Sequence, residues 1–225
     1  MEIRSVALPF EDISILQDVK SQAVSSDSEF LYQTIISHCS DRYNNSGPRV
    51  FELGSGNGII AIMLALSRPD WQITALEVQI SQYLLARHNV EQSGVKVTLL
   101  LADLRKSIHS GNNNRYDLIY ANPPYFQIGT ARISPSLPRA ISRYELLCDM
   151  DNLLSVVNNN LTPEGEAYIL YPDFRLPDLH RKAGRYGLEI LKEIGKKNKS
   201  SKNREEIEDN ERGSKSWTVS ILGRR

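Results

Sequence analysis

Val50-Phe51-Glu52-Leu53-Gly54-Ser55-Gly56-Asn57-Gly58, running straight into Ile59-Ile60-Ala61-Ile62-Met63-Leu64-Ala65-Leu66, decides the fold of this chain. The first four residues read as a buried strand, the glycines as a tight turn, and the unbroken apolar run as a buried helix. Glycines where a strand meets a helix let the backbone turn sharply and approach a ligand with no Cβ in the way. A dinucleotide fold would have G-x-G-x-x-G, but the residue three past Gly56 is Ile59. The pattern is E-x-G-x-G-x-G, and the acid that closes the strand, Glu52, suits an ammonium group better than a pyrophosphate.

Outward from this turn, strands and helices alternate. Trp71 to Glu77 reads as a strand, Ile80 to Asn89 as a helix, and Val95 to Leu101 and Tyr116 to Tyr120 as further strands. Glu145 to Val157 reads as a helix, Glu166 to Leu170 as a strand, and Leu176 to Tyr186 as a helix; Leu188 to Leu191 and Trp217 to Ile221 close the sheet as a hairpin. This order predicts an α/β fold: a doubly wound, mostly parallel, seven-stranded Rossmann-like sheet with a C-terminal antiparallel hairpin. Upstream, Ser26-Asp27 caps a helical pattern in Phe30-Leu31-Tyr32 and Ile35-Ile36. Residues 1–45 are thus read as an N-terminal helical segment of a single domain, 1–225, whose core is 49–225.

At 225 residues and 40% hydrophobic content, one domain can bury a good core. The formal net charge of +0 supplies no global field toward nucleic acid or membrane, so a polyanion would have to be held locally. Cys39 and Cys148 lie far apart, and His38, His88, His109 and His180 stand singly, so no metal-ligand spacing exists. The cysteines read as incidental thiols of a reducing compartment. No signal peptide or membrane-length apolar run is visible, which makes a cytoplasmic protein the expectation.

The strand ends carry the chemistry. Glu77 closes the second strand, roughly 20 residues past the glycine loop, where a carboxylate accepts both hydroxyls of a ribose. Asp103, in Leu101-Ala102-Asp103-Leu104, is placed to accept from an adenine amino group, and Asn122 follows the fourth strand. Ligands of open α/β sheets bind along that edge. Glu52, Gly54, Ser55, Gly56, Glu77, Val78, Asp103, Leu104 and Asn122 are therefore read as a site for S-adenosyl-L-methionine (AdoMet), which has an ammonium and a sulfonium but no phosphate.

Asn122-Pro123-Pro124-Tyr125 must end its strand, because neither proline has an N–H for the ladder. The stiff turn offers an amide, two carbonyls and an aromatic ring. An exocyclic amino nitrogen is a weak nucleophile, since its lone pair is delocalised. Hydrogen bonds from it to the Asn122 oxygen and the Pro123 carbonyl would favour a pyramidal nitrogen aimed at a methyl donor. Tyr125 and Phe126 are read as stacking on the acceptor's ring, a contact worth roughly 1–3 kcal/mol per base. Transfer then depends on proximity and alignment, with no metal needed.

ELGSGNG, ALE, LLADL and ANPPY, in this order, resemble the class I AdoMet-dependent methyltransferases that modify amino groups. The run N-P-P-Y-F with Gly129, then Arg143-Tyr144-Glu145, is similar to the bacterial tRNA1(Val) adenine-N6 methyltransferases, as is Ser26-Asp27-Ser28. The resemblance spans about residues 20–170. It implies a methyltransferase sheet, a tRNA partner modified at the adenosine 3′ of the anticodon, catalysis by Asn122, Pro123 and Tyr125, and substrate contacts by Pro124, Tyr125, Phe126 and Arg143. Two rivals share the turn: glutamine N5-methyltransferases of release factors, which carry a larger domain ahead of the loop than this chain does, and rRNA guanine-N2 methyltransferases, whose turn usually ends in Phe. A non-catalytic binding module of the same fold fits poorly with an intact loop, both carboxylates and Asn122. The basic run from Lys196 to Arg204 is read either as a solvated hairpin loop or as a finger whose Lys196, Lys197 and Lys199 touch an RNA backbone. The oligomeric state is left open.

Overall fold

Element by element, the computed structural model runs β1 (Ile3–Ala7), β2 (Ser14–Asp18), α1 (Ser26–Cys39), β3 (Arg49–Leu53), α2 (Ile59–Ser67), β4 (Gln72–Glu77), α3 (Ile80–Ser93), β5 (Val97–Leu101) and β6 (Tyr116–Ala121). It continues through α4 (Met150–Asn160), β7 (Leu161–Pro172), α5 (Leu176–Ala183), β8 (Leu188–Gly195) and β9 (Trp217–Arg224). The structure describes residues 2–10, 12–19, 26–39, 42–43, 47–106, 115–127, 140–141, 144–196 and 216–225.

Seven strands form one sheet in the order β5-β4-β3-β6-β7-β9-β8. The first five are parallel, and β9 and β8 run antiparallel at the end, as the alternation predicts. Strand order reverses between β3 and β6, and in such sheets the crevice at the reversal is where ligands bind. There Leu53 lies opposite Ala121, so the glycine loop and Asn122 leave the sheet from neighbouring register positions. Leu53 also faces Leu76, and Glu77 faces Leu101. Four strand ends thus converge on one edge.

Helix α2 explains its own sequence. Every residue from Ile59 to Ala65 is buried, because the helix packs against α1, α3 and the sheet together. A helix enclosed on all sides has no polar face to write, and each fully buried large side chain contributes about 1.5–3 kcal/mol.

Three expectations are corrected. Residues 1–45 are not wholly helical: β1 and β2 form an antiparallel hairpin, with Ile3 opposite Asp18 and Ala7 opposite Ser14. Asn89 of α3 holds that hairpin, accepting from Leu16 N at 2.8 Å and donating to Leu16 O at 2.9 Å. The helix expected from Glu145 begins at Met150, since Asp149 accepts from Asn152 N at 2.7 Å in a reciprocal capping box. The helix expected to reach Tyr186 ends at Ala183 and tightens into a 3₁₀ turn over Gly184–Tyr186.

Candidate active site

The glycine loop is built on β4. Gly54 N and Ser55 N both donate to Leu76 O, at 2.9 and 2.8 Å, and Gly58 N donates to Ser55 O at 2.9 Å. Gly54 and Gly58 have φ of +81° and +83°, a region that side chains rarely adopt. At Gly58 an added Cβ would also come within 3.3 Å of Ala86 Cβ, so the loop lies tight on α3. Asn57 completes the packing: its carbonyl accepts from Asn89 Nδ2 at 2.9 Å, and the same Asn89 grips β2.

Glu77 does more than the sequence indicates. Its Oε2 accepts from Gly56 N and its Oε1 from Gln79 N, both at 2.8 Å, which staples the loop to the start of α3. A carboxylate has about four lone-pair sites, so both oxygens keep capacity for ligand hydroxyls. Burial raises the Glu77 pKa, and the backbone N–H groups pull it back.

Every residue read from the sequence as a cofactor contact lines one cavity of about 160 Å³, together with Pro123 and Pro124. Three buried polar atoms among the lining residues have no hydrogen-bond partner: Glu52 Oε2, Ser55 Oγ and Gln82 Nε2. Leaving such groups unpaired costs about 1–3 kcal/mol each; all three belong to residues of the cavity wall, and a side-chain rotation that presents them to a polar ligand would relieve that cost. Glu52 is 3% exposed, and its carboxyl is pushed up to about 8 by burial, against the pull of the Tyr120 hydroxyl, with the Glu77 charge adding to the rise. An ammonium group brought to it would supply the missing countercharge. An acceptor for a cation, hydrogen-bonding atoms beside the loop and a second carboxylate one strand away fit AdoMet.

Asp103 lines the cavity but is already engaged. Its carboxylate accepts from Arg105 Nη2 at 2.6 Å and from Arg105 Nε and N at 3.0 Å, which holds it below the ordinary carboxylate range. Arg105 is exposed, and exposed ion pairs are weak, so a ligand amino group can share or displace it.

Tyr125 departs from expectation. The ring is 5% exposed and turned away from the cavity wall, packed edge-on against Trp217 with centroids 5.1 Å apart. Phe126 is half-buried beside it, at 4.6 Å. Arg143 and Gly129 fall outside the described residues, as do Lys197 and Lys199. Lys196 is paired: its Nζ donates to Ser26 Oγ at 2.7 Å and to Asp27 Oδ1 at 3.0 Å.

Sequence reasoning missed three contributors. Gln82 reaches the cavity from α3, and Ser28 from α1, where the Ser26-Asp27-Ser28 segment was its only signal. Arg175, 3% exposed, donates to Tyr125 O at 2.5 Å and to Glu145 Oε1 at 2.6 Å, and nothing in the sequence around it marks that role. Among the described residues no cluster of His, Cys, Asp and Glu could hold a metal, and no helix is long and apolar enough to cross a membrane.

Residues 21–170 match the family model described as the methyltransferase small domain. A curated relative from Dyadobacter fermentans, named tRNA1(Val) (adenine(37)-N6)-methyltransferase, is 28% identical over 148 residues, covering 65% of this chain and 60% of its own length. The release factor glutamine methyltransferase of Bordetella pertussis is 31% identical over 130 residues, covering 58% of this chain and 46% of its own. The solved T. thermophilus 16S rRNA N2 G1207 methyltransferase, in complex with AdoMet and guanosine, superposes with a TM-score of 0.65 at 18% identity, over 100% of this chain and 50% of that one. The chain thus spans about half to three fifths of the length of these proteins.

Proposed function

We propose an activity for this chain on the premise that it belongs to the methyltransferase small domain family: it is an AdoMet-dependent N-methyltransferase acting on adenine N6 of a tRNA, at the adenosine 3′ of the anticodon. The observation that carries this reading is the Leu53–Ala121 register, which sets an ammonium-suited glycine loop beside an Asn-Pro-Pro turn on one cavity. A tRNA substrate makes the cytoplasm its place of work.

Glu52 and the Gly54–Gly56 backbone would hold the amino-acid end of AdoMet, Glu77 with Gln82 its ribose, and Asp103 with Leu104 its adenine. Bound there, AdoMet supplies an activated methyl group. Asn122 Oδ1 and Pro123 O accept the two N–H bonds of the incoming amine and orient its lone pair. Pro124 limits the amine's travel, and the buried aromatic packing behind the turn keeps the acceptors fixed. Positioning of this kind can supply much of a barrier reduction without a strong base.

The likeness to a release factor glutamine methyltransferase supports a second reading, because a glutamine amide presents the same NH₂ to the same turn; guanine N2 is a third acceptor of that kind. Labelled AdoMet incubated in parallel with bulk tRNA, ribosomal RNA and a release factor, followed by nucleoside and protein analysis, separates them. N6-methyladenosine is the expected product. Label in a release factor, or in N2-methylguanosine, would overturn the adenine reading.

A further inference from the structure

Beside the catalytic turn, outside the cavity lining, three rings from three separate segments meet. Phe126 directly follows the turn, Tyr144 precedes α4, and Phe174 sits in a single 3₁₀ turn, Asp173–Arg175, after β7. Phe126 lies 5.4 Å from Tyr144 and 6.2 Å from Phe174, the latter pair inclined by only 23°. Those are offset-stacking distances. Yet Phe174 is 54% exposed.

The turn that carries Phe174 is firmly anchored. Asp173 N donates to Ser216 O at 3.1 Å, and the Asp173 carboxylate accepts from Thr218 Oγ1 at 2.8 Å and from the Ser216 hydroxyl. One residue later, Arg175 is bonded to Tyr125 O and Glu145. A flat ring, half in water, on a pinned backbone loses little freedom when something stacks on it.

We propose that Phe174 is a stacking platform for the nucleobase next to the accepting one, in a single-stranded part of the RNA. The inference rests on the adenine-N6 reading above and adds a substrate contact to it. The occupant is a neighbouring base because Asn122, Pro123 and Pro124 line the cavity while Phe126 and Phe174 do not. It is a base because the near-parallel Phe126–Phe174 pair is an unfinished stack, and every base has a face to extend it. An apolar protein surface fits less well, since a broad patch would be needed. Leu191, an exposed apolar residue of the adjoining hairpin, falls in the register irregularity between Ile190, opposite Leu222, and Lys192, opposite Ile221, toward the opposite end of β9 from Trp217.

The test uses the full chain, AdoMet and a synthetic anticodon-arm RNA, with and without an abasic nucleotide on either side of the accepting adenosine. Phe174→Ala is expected to raise the KM for RNA about tenfold or more, leaving AdoMet affinity and kcat within about twofold, and Phe174→Trp is expected to restore it. One abasic position should raise KM for the parent protein and add little further in Phe174→Ala. An unchanged KM in Phe174→Ala, or independent effects of the two changes, overturns the platform. If the parent protein makes no N6-methyladenosine in any RNA, the substrate reading itself falls, a different and distinguishable result.

Discussion

Arg175 Nη1 donates to the carbonyl of Tyr125 at 2.5 Å while Nη2 holds Glu145 Oε1 at 2.6 Å. The guanidinium lies almost wholly out of water, and Glu145 N in turn donates to Phe126 O at 2.9 Å. The far end of the Asn122–Tyr125 turn is therefore clamped by a residue from the 3₁₀ turn after β7 and a residue from the start of the 144–149 segment. Asn122 and Pro123 lie within three residues of that clamp, along a turn stiffened by two prolines.

Removing half of this pair should be worse than removing both. Arg175→Met leaves Glu145 buried without its partner and should cost about 3–5 kcal/mol of stability in denaturant unfolding. The double variant Arg175→Met with Glu145→Met should recover most of that. Its kcat should stay low, because the Tyr125 carbonyl still lacks its donor, while AdoMet affinity is retained. Wild-type kcat in the double variant would show that the clamp has no part in positioning.

Asn122→Ala should abolish methyl transfer and leave AdoMet affinity within a few fold. Equilibrium binding and a single-turnover assay on the same preparation measure both. A variant that still turns over would remove Asn122 from the reaction.

Glu52 sets a pH dependence. Its carboxyl, pushed up to about 8 by burial, keeps its proton in the unliganded fold at pH values where the unfolded chain has already lost it. The folded state thus binds more protons between the ordinary carboxylate range and about pH 8, and stability falls as pH rises through that window. An ammonium ligand needs the ionised carboxylate, so AdoMet affinity should climb from about pH 6 toward pH 8 with proton release near neutrality. It should fall again as the ligand's α-amino group, ordinarily near 7.7–8.0, loses its own proton. Calorimetry in buffers of different ionisation enthalpy reads the proton count. Glu52→Gln should lose the rising limb.

Lys196 is tied to Ser26 and Asp27 at the start of α1, so Lys196→Ala should lower thermal stability slightly, by about 0–1 kcal/mol for a pair of this exposure. Neutralising Lys197 and Lys199 should instead weaken RNA binding and flatten its dependence on salt. Titrations at several salt concentrations compare the slopes.

Much of the fold was legible because its determinants are local. The apolar run after Gly58, the glycines themselves and the two prolines after Asn122 each restrict the backbone with little help from distant residues. The N-terminal hairpin was not legible. Ser14–Asp18 pairs along its length with Ile3–Ala7, and what fastens that hairpin to the domain is Asn89, 73 residues away from Leu16 in the chain, bonding both backbone groups of Leu16. The start of α4 was misplaced for the opposite reason: Asp149 and Asn152 form a local cap, but the apolar residues before it mimic another helical turn.

By itself the sequence determined the order of strands and helices, the E-x-G-x-G-x-G loop in place of a dinucleotide pattern, and which residues stand at the strand ends. Those follow from short-range conformational preference and from periodic burial. Only the tertiary structure decided what each strand-end residue is free to do. Glu77 staples the loop, Asp103 is shared with Arg105, Tyr125 turns away from the cavity toward Trp217, and Glu52 Oε2, Ser55 Oγ and Gln82 Nε2 are left buried and unpaired on residues that line it. Availability depends on which groups approach through space, and only the packed fold sets those distances.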